Sequence, residues 1–306
     1  MILYPNCKLN IGLRVISKRA DGYHNLETLF YPVFGLCDRL EITPSAAFSF
    51  TQGGIVVDCP AEDNLIIRCY RRMRERYPQI GDVKIVFDKH IPFGAGLGGG
   101  SSDAAHTAIA LNEIFGLGLS REQLAAEVAP LGADCAFFVY NTPCLAEGIG
   151  EVLTPVPFSL DGFRLVMLKP DIHVSTREAY GGIRLSGDQP SLAELVRSAV
   201  SGQQSAISGQ QSAVSSQAMA RELLKHEDIV YNDFERTVFP LHPELAALKK
   251  RLQDAGAFYA AMSGSGSTVY GLFRAEDAVA LSADNNTADS MTAITIYDGE
   301  ARSSRF

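Results

Sequence analysis

A run of glycines lies between a predicted strand and a predicted helix in the first half of the chain. Five glycines fall within the seven residues 94–100, and Ser101, Ser102 and Asp103 follow them directly. A backbone without side chains exposes its N–H groups, and the N-terminus of a helix carries partial positive charge, so both features favour a bound phosphate. The sequence therefore predicts a phosphate-binding loop at residues 92–102.

The spacing of these glycines can be compared with two common phosphate-loop designs. Three of them match the GxGxxG pattern of dinucleotide-binding loops, which is weak evidence when it stands alone. Such a site also needs an acidic residue about 20 positions beyond the glycines, at the end of a second strand. The nearest candidates, Glu113 and Glu122, lie in or beside predicted helices. Gly100 stands where a Walker A loop would carry its lysine, so the sequence excludes that design.

Four further segments carry side chains or turns suited to chemistry. Lys8 stands alone in a weakly charged strand, where a solvated edge position is the ordinary interpretation. Asp134 follows a predicted helix stop, and its carboxylate suits either a general base or the N-cap of the next helix. The segment Asp21–His24 has the composition of a surface turn. Met262–Thr268 is typical of a second glycine-serine turn that leads into a strand.

The composition limits the classes of function. The 306 residues are 46% hydrophobic and 20% charged, with a formal net charge of −8. This acidic balance argues against broad binding of nucleic acid or of an anionic membrane surface. The six cysteines are scattered along the sequence and form no CxxC pair, a pattern typical of buried thiols in a protein from a reducing compartment. Neither a signal-peptide pattern nor a membrane-spanning apolar run is visible, so we expect a cytoplasmic protein.

The elements expected around these residues are strands and helices in mixed order. Strands are predicted at 10–16, 33–36, 40–42, 54–58, 83–88, 164–168, 267–273 and 293–297. Helices are predicted at about 63–77, after the glycine loop, from Ser120 to Val128, and at 190–200, 218–226 and 243–255. Because strands and helices mix without a strict βαβ rhythm, we expect an α+β fold.

Two places in the sequence indicate how the domains are organised. Residues 154–157 have the composition of a connector, so we expect one domain at 1–155 and a second at 156–306. Residues 201–214 repeat one heptad, Ser-Gly-Gln-Gln-Ser-Ala followed by Ile or Val. The repeat lacks charged and aromatic side chains, so we expect a mobile low-complexity insertion at 201–217.

The separate motifs occur in the order of three motifs of a known superfamily. Lys8–Asn10, the glycine loop and the Gly-Ser-Gly-Ser sequence at 264–267 resemble those of the GHMP kinases. Within that superfamily, residues 20–24, 60–65, 131–138 and 146–151 resemble the 4-diphosphocytidyl-2-C-methyl-D-erythritol kinase family. The resemblance covers residues 6 to about 170, and then 231–273. It implies a two-domain GHMP kinase fold, with an N-terminal domain like domain 2 of ribosomal protein S5 and a ferredoxin-like C-terminal domain.

The resemblance also implies an activity and a set of site residues. It implies ATP-dependent phosphorylation, with Mg²⁺, of the 2-hydroxyl of 4-diphosphocytidyl-2-C-methyl-D-erythritol in the non-mevalonate route to isoprenoid precursors. Lys8 and Asp134 fall on the catalytic pair of the family, with Asp134 as the base. The ATP site that it implies comprises Pro92, Phe93, Gly94, Ala95, Gly96, Leu97, Gly98, Gly99, Gly100, Ser101, Ser102, Asn64 and Lys89. The substrate site that it implies comprises Asn10, Tyr23, His24, Phe30, Tyr180, Gly264, Ser265 and Gly266.

Three alternatives remain open from the sequence. Another GHMP kinase would act on mevalonate, homoserine or a sugar, although Tyr23–His24 and residues 131–138 fit a cytosine-recognising pocket better. A dinucleotide-dependent oxidoreductase is a weaker alternative, and a non-catalytic binding protein on the kinase scaffold is the third. The sequence singles out no ligand for the metal, with Ser101 or Ser102 as candidates. We expect a monomer or homodimer that binds small molecules and neither nucleic acid nor membrane.

Overall fold

The computed structural model describes residues 1–56, 60–185, 191–207, 216–275 and 292–296, with the backbone alone for residues 61, 202–207 and 292–296. Contacts divide the chain into two compact units. The first unit comprises residues 1–8, 32–93 and 97–142, and the second comprises 9–31, 94–96 and 143 onward. Each unit is built from separate stretches of the sequence, and the domain boundary expected at residue 155 stays a prediction.

Strands and helices follow one another in the irregular order expected for an α+β fold. The described strands are β1 (Ile2–Leu3), β2 (Asn6–Lys18), β3 (His24–Cys37), β4 (Arg39–Pro44), β5 (Ser49–Gly54), β6 (Val83–Lys89), β7 (Cys144–Glu147), β8 (Val152–Pro155), β9 (Phe163–Lys169), β10 (Tyr259–Met262), β11 (Val269–Arg274) and β12 (Thr292–Ile296). The described α-helices are α1 (Leu65–Arg76), α2 (Gly99–Ile114), α3 (Arg121–Val128), α4 (Cys135–Tyr140), α5 (Thr176–Gly181), α6 (Leu192–Ile207), α7 (Ser216–Leu223), α8 (Glu235–Leu241) and α9 (Pro243–Asp254).

The first unit contains a four-stranded sheet with the order β1-β4-β6-β5, antiparallel except for the parallel pair β5–β6. In β4 and β6 the side chains of Leu40, Ile42, Ile85 and Phe87 are buried, and they alternate with more exposed neighbours as in a half-covered sheet. Helix α2 packs against α1, α4 and β4. This packing fixes the helix that follows the glycine loop.

The helix starts of the first unit follow local sequence signals. Asn64 caps α1, because its Oδ1 accepts a hydrogen bond from the backbone N–H of Ile66 at 2.9 Å. The Ser120 hydroxyl accepts from Gln123 N while the Gln123 side chain accepts from Ser120 N, which forms a capping box at the start of α3. These short-range bonds explain why the sequence predicts the two helix starts to within about two residues.

The second unit contains most of the sheet β2-β3-β7-β8 and the whole of the sheet β10-β11-β9-β12. Helix α9 packs against β10 and β11, and α8 packs against α5 and α9. Its core joins Leu13 and Val15 of β2 to Val166, Phe234 and Phe273, among other buried side chains. The core therefore connects β2 directly to the second sheet and its helices.

Two predicted strand and loop boundaries are wrong. The strand expected at 54–58 is not formed at 55–56, and residues 57–58 lie outside the described residues. Strand β5 occupies Ser49–Gly54, and it ends at Gly54 because that residue has a φ of 72° and lies close to the Lys89 backbone. The connector expected at 154–157 begins inside β8, which ends at Pro155. Strand β8 is the edge strand of its sheet, a position that tolerates a proline because the missing N–H faces away from the ladder.

The repeat region differs in part from the expected mobile insertion. The first heptad, residues 201–207, continues helix α6 to Ile207. Gln and Ala are good helix formers, so they offset the single glycine in this heptad. The second heptad, residues 208–214, lies outside the described residues, as does the tail beyond 275 except for β12. Across the described ranges, each helix is too short or too polar to cross a lipid bilayer.

Candidate active site

Lys8 and Asp134 come together in the first unit. Nζ of Lys8 lies 3.4 Å from Oδ2 of Asp134, and Lys8 is only 4% exposed whereas the Asp134 side chain is 30% exposed. The interpretation of Lys8 as a solvated edge residue is therefore wrong. Asp134 stands at the N-cap position of α4, but its side chain makes no capping hydrogen bond. Its carboxylate faces the lysine and partly faces solvent, which is a geometry suited to receiving a proton.

A pair of asparagines holds together the elements that carry these two residues. Asn6, at the start of β2, donates from Nδ2 to Oδ1 of Asn141 at 3.2 Å, and Asn141 donates back to Asn6 at 2.8 Å. Asn141 is the C-cap of α4 and has a φ of 51°, which asparagine tolerates better than most residues. The double hydrogen bond ties the strand of Lys8 to the helix that begins after Asp134.

The end of the glycine loop is shaped by the two lysines beside it. Lys8 N donates to the backbone oxygen of Leu97 at 2.9 Å. Gly98 has a φ of 71°, and a Cβ there would lie 3.1 Å from Cγ of Lys8 and 3.0 Å from the Phe138 ring. A Cβ on Gly99 would lie 2.9 Å from Nζ of Lys89. Because Gly98 at the N-cap has no side chain, the first N–H groups of α2 remain suited to an anion.

Lys89 belongs to a closed cluster with two carboxylates. Its Nζ contacts Oδ2 of Asp38 and lies 2.9 Å from Oδ2 of Asp103, and all three residues are buried. Asp38 also accepts from the backbone N–H groups of His90 and Ile91. Burial alone would lower the pKa of Lys89, but the two carboxylates outweigh burial and raise it. Burial raises the pKa of Asp103 well above its ordinary value. The adenosine contact expected of Lys89 stays a prediction.

The serines at the start of α2 have partners within the first unit. Burial raises the pKa of the Cys135 thiol to about 12, and the neighbouring Ser101 hydroxyl opposes part of that rise. Ser102 is buried, and its Oγ lies 3.3 Å from Nδ1 of His106. Burial lowers the pKa of His106 to about 4, so its imidazole is neutral at physiological pH. Ser101, which is only partly buried, is thus the better candidate to face a ligand.

In the second unit, the middle of the glycine loop lies against the GSGS turn (Ser263–Ser267). Ser263 Oγ donates to the backbone oxygen of Gly96 at 3.0 Å, and Thr268 N donates to the oxygen of Ala95 at 3.2 Å. Gly96 has a φ of 74°, and a Cβ there would lie 2.0 Å from the oxygen of Ser263. Only glycine allows this approach of two backbones. The turn thus lies beside the phosphate loop as well as near Asn10.

The residues expected at the cytidine end are only partly together. His24 stacks on Tyr180 with ring centroids 4.8 Å apart and an interplanar angle of 19°. Tyr23 is 61% exposed, whereas Phe30 is 2% exposed in the core. Burial and the charge of Lys18 both lower the pKa of His24, which favours a neutral imidazole. Of the four residues predicted to bind cytidine, His24 and Tyr180 therefore form a stacked pair.

Asn10 is fixed by several buried partners of the second unit. Its Nδ2 donates to Oγ1 of Thr28 at 3.1 Å, and its backbone oxygen accepts from the Tyr270 hydroxyl at 2.8 Å. Asn10 itself is 3% exposed. Its position is therefore well defined, while the contact expected with substrate hydroxyls stays a prediction.

Comparison with known proteins identifies the family. The GHMP kinase N-terminal domain matches residues 64–142, and the GHMP kinase C-terminal domain matches residues 215–288. The 4-diphosphocytidyl-2-C-methyl-D-erythritol kinase of Bacteroides fragilis is 44% identical over 283 residues, which cover 91% of this chain and 94% of the relative. The chain belongs to the 4-diphosphocytidyl-2-C-methyl-D-erythritol kinase family of GHMP kinases. The namesake enzyme of Parabacteroides distasonis is 45% identical, with 89% of this chain and 92% of the relative covered.

Solved structures agree with this membership. A crystal structure of 4-(cytidine 5'-diphospho)-2C-methyl-D-erythritol kinase matches with a TM-score of 0.72 and 30% identity, covering 98% of this chain and 100% of that one. The homoserine kinase from Cytophaga hutchinsonii shares the fold, with a TM-score of 0.63 at 16% identity over 96% of this chain and 94% of its own. The α+β GHMP kinase fold is therefore confirmed. Membership in a kinase family also decides against a dinucleotide-dependent oxidoreductase and supports the use of ATP.

Sequence reasoning missed several residues of this kinase site. Asp38 and Asp103 hold Lys89, while Asn6 and Asn141 hold the elements of Lys8 and Asp134. Asn6 is adjacent to the Lys8–Asn10 motif and could have been noticed there. The others are ordinary polar residues at distant positions in the sequence, so no local signal distinguishes them.

Proposed function

We propose that the protein transfers the γ-phosphoryl group of ATP to the 2-hydroxyl of 4-diphosphocytidyl-2-C-methyl-D-erythritol, giving the 2-phosphate and ADP. The observation that carries the proposal is the Lys8–Asp134 pair, 3.4 Å apart, next to a glycine loop whose residue 97 accepts a hydrogen bond from Lys8 N. Phosphoryl transfer depends mainly on positioning and on charge stabilisation. A partly exposed carboxylate with a fixed lysine beside a phosphate loop supplies both.

In the proposed reaction, Asp134 accepts the hydroxyl proton as the oxygen attacks the γ-phosphorus. The new bond joins that oxygen to phosphorus, and the bond between phosphorus and the bridging oxygen breaks to release ADP. Lys8 orients the carboxylate and offsets the negative charge that develops between the attacking and leaving oxygens. Because Lys8 is almost fully buried, its charge is screened little by solvent.

The glycine loop is proposed to hold the triphosphate of ATP, and Mg²⁺ is proposed to bind to that triphosphate. The described ranges contain no group of three or more His, Cys, Asp or Glu side chains that could hold a metal ion. This fits a magnesium ion that is carried by ATP phosphates and takes one or two protein ligands. Ser101, in the first turn of α2, is the candidate ligand. When bound, the ion offsets negative charge on the phosphate oxygens.

The cytidine end of the substrate is proposed to bind at the His24–Tyr180 stack. Aromatic and imidazole faces suit a cytosine ring, and the neighbouring Tyr23 is exposed. A neutral His24 can both donate and accept a hydrogen bond, which matches the mixed donor and acceptor edge of cytosine. The remaining predicted contacts, from Asn10, Phe30 and residues 264–266, are part of the same proposal.

Further features of the proposed kinase follow from its sequence. We expect a division into a domain at 1–155 and a domain at 156–306, a cytoplasmic location, and a monomer or homodimer. Light scattering of the purified protein would measure its oligomeric state.

A coupled assay of ADP release tests the proposed function. The protein would be given ATP and Mg²⁺ with 4-diphosphocytidyl-2-C-methyl-D-erythritol, mevalonate or galactose in parallel. We expect turnover with the cytidylyl substrate and little with the other two. A preference for mevalonate or galactose would favour another GHMP kinase activity. ATP binding without any turnover would favour a binding protein.

A further inference from the structure

One short segment of the second unit, Tyr231–Phe234, is fixed against strand β2. It pairs with Leu13 as an isolated parallel bridge, in which Leu13 N donates to Tyr231 O and Asp233 N donates to Leu13 O, each at 2.8 Å. Oδ2 of Asp233 accepts from the backbone N–H of Val15 at 2.7 Å. The position of the segment is therefore set by the backbone of β2.

The side chain of Asn232 extends this attachment to the GSGS turn. Its Nδ2 donates to the backbone oxygens of Met262 at 2.7 Å and of Gly264 at 2.8 Å. Its Oδ1 accepts from the backbone N–H of Phe234 at 2.9 Å. Asn232 is 1% exposed, so water cannot easily replace these bonds. An amide suits this position because it donates twice from one end and accepts at the other.

The turn that Asn232 holds touches two segments that the proposed reaction uses. Ser263 Oγ donates to the oxygen of Gly96 and accepts from the backbone N–H of Asn10 at 3.3 Å. A Cβ on Gly264 would lie 3.2 Å from that Gly96 oxygen and 3.3 Å from Oδ1 of Asn10. Ser263 is hydrogen-bonded to both segments, so a displacement of the turn would break these bonds or move Gly96 and Asn10 with it.

The same segment supports the stacked pair at the proposed cytidine end. The Phe234 ring meets the Tyr180 ring edge-on, with centroids 4.7 Å apart, and Tyr180 stacks on His24. Oδ1 of Asn232 holds the backbone N–H of Phe234. One buried amide therefore links the turn beside the glycine loop to the support of the aromatic stack.

We propose that Asn232 is a positioning residue for phosphoryl transfer. Asn232 keeps the GSGS turn in place. The turn then keeps Gly96 in the position proposed for ATP binding and Asn10 in the position proposed for contact with the acceptor. Asn232 touches neither substrate and acts through the turn. This inference rests on the proposed function, which requires Gly96 to face phosphate and Asn10 to face the acceptor.

The test compares Asn232→Asp with the unchanged protein. The aspartate keeps the shape and the acceptor for Phe234 N, but it places an oxygen against the carbonyls of Met262 and Gly264. We expect kcat/KM to fall by roughly 10- to 100-fold, since a misplacement of about 1 Å can have effects of that size. We also expect weaker ATP binding by calorimetry. The calorimetric result does not depend on the acceptor, so it still tests the inference if the substrate assignment fails.

Asn112→Asp is the matched control. Asn112 is also buried, and it also uses its amide to bind backbone on both sides, donating to Leu119 O and accepting from Leu119 N. It lies near the far end of α2, away from the glycine loop. We expect this variant to lose stability while kcat/KM and ATP affinity per folded molecule stay unchanged. A general effect of placing a charge on a buried asparagine would appear in both variants.

A double-mutant cycle with Ser263→Ala completes the test. If Asn232 acts through the turn, the two substitutions interrupt one connection and their effects on kcat/KM are not additive. A purely structural role predicts a lower unfolding midpoint for Asn232→Asp with unchanged kcat/KM and ATP affinity, and that result overturns the proposal. If Asn232→Asp does not fold, the kinetics and ATP affinity of Ser263→Ala alone test the proposal. Unchanged kinetics and ATP affinity in Ser263→Ala would equally overturn it.

Discussion

Two buried lysines of the first unit, Lys8 and Lys89, lie beside consecutive glycines but have different partners. Lys8 meets one carboxylate, Asp134, whose side chain is partly open to solvent. Lys89 is enclosed by Asp38 and Asp103, and all three residues are buried. Both clusters contain the same chemical groups. A carboxylate that is partly open to solvent can take a proton from an incoming hydroxyl. The buried cluster holds its elements together, and the adenosine contact of Lys89 stays a prediction.

The closed cluster also joins three parts of the first unit. Asp38 lies between β3 and β4, Lys89 ends β6, and Asp103 is the fifth residue of α2. Their contacts therefore fix α2, whose first residues form the end of the glycine loop, against the sheet. In the proposed mechanism the Lys8–Asp134 pair depends on this cluster, because the cluster fixes the helix next to the glycine loop that is proposed to hold the phosphates.

The largest expected effect is a loss of activity when the Lys8–Asp134 pair is changed. Asp134→Asn should lower kcat by roughly 10²- to 10⁴-fold, because the amide cannot accept the proton. ATP binding should be retained, since the loop and α2 are unchanged. A coupled ADP-release assay and calorimetric ATP binding measure the two quantities. Turnover near that of the unchanged protein would show that Asp134 serves only as the N-cap residue of α4.

A substitution in the Asp38–Lys89–Asp103 cluster should mainly lower the stability of the fold. Lys89→Met leaves two buried carboxylates without a cation, and breaking a buried ion pair in this way typically lowers the free energy of unfolding by about 3–5 kcal/mol. Lys8→Met should lower it less, because the Asp134 carboxylate can be hydrated. Denaturant unfolding of both variants measures the difference. Equal losses of stability in the two variants would remove the distinction between the clusters.

The smallest effect expected is at the glycine between Lys8 and the start of α2. Gly98→Ala places a Cβ against Lys8 and Phe138 at a φ of 71°, so it should lower stability by about 1–2 kcal/mol and also lower kcat. Gly116→Ala is its control, because that glycine has a φ of 58° but no neighbour within 4 Å. The control should share the loss of stability and keep its kcat. A normal kcat in Gly98→Ala would show that the loop tolerates displacement of Lys8.

Local signals made much of the fold predictable. The glycine loop, the Asn64 cap of α1 and the capping box of α3 depend on residues within a few positions of each other, so the sequence alone places them. The short helices α5 and α8 were not predicted, because seven residues or fewer show little periodicity and α8 contains a proline. Their positions depend on packing against other elements.

The candidate site was predictable only where a family motif covers it. Lys8 and Asp134 are far apart in the sequence, and each alone favoured an ordinary structural interpretation. The resemblance to a kinase family selected them, and the structure places them in contact. Within the Asp38–Lys89–Asp103 cluster the resemblance selected only Lys89, since two scattered aspartates look like surface charges until the fold buries them.

The burial of Cys135, which follows Asp134, affects how chemical probes can react with this enzyme. Cys135 is buried, and its burial raises the pKa of its thiol to about 12. The reactive form of cysteine is the thiolate, which is scarce at neutral pH when the pKa is so high. Electrophilic inhibitors and mild oxidants should therefore find no ready target at this position.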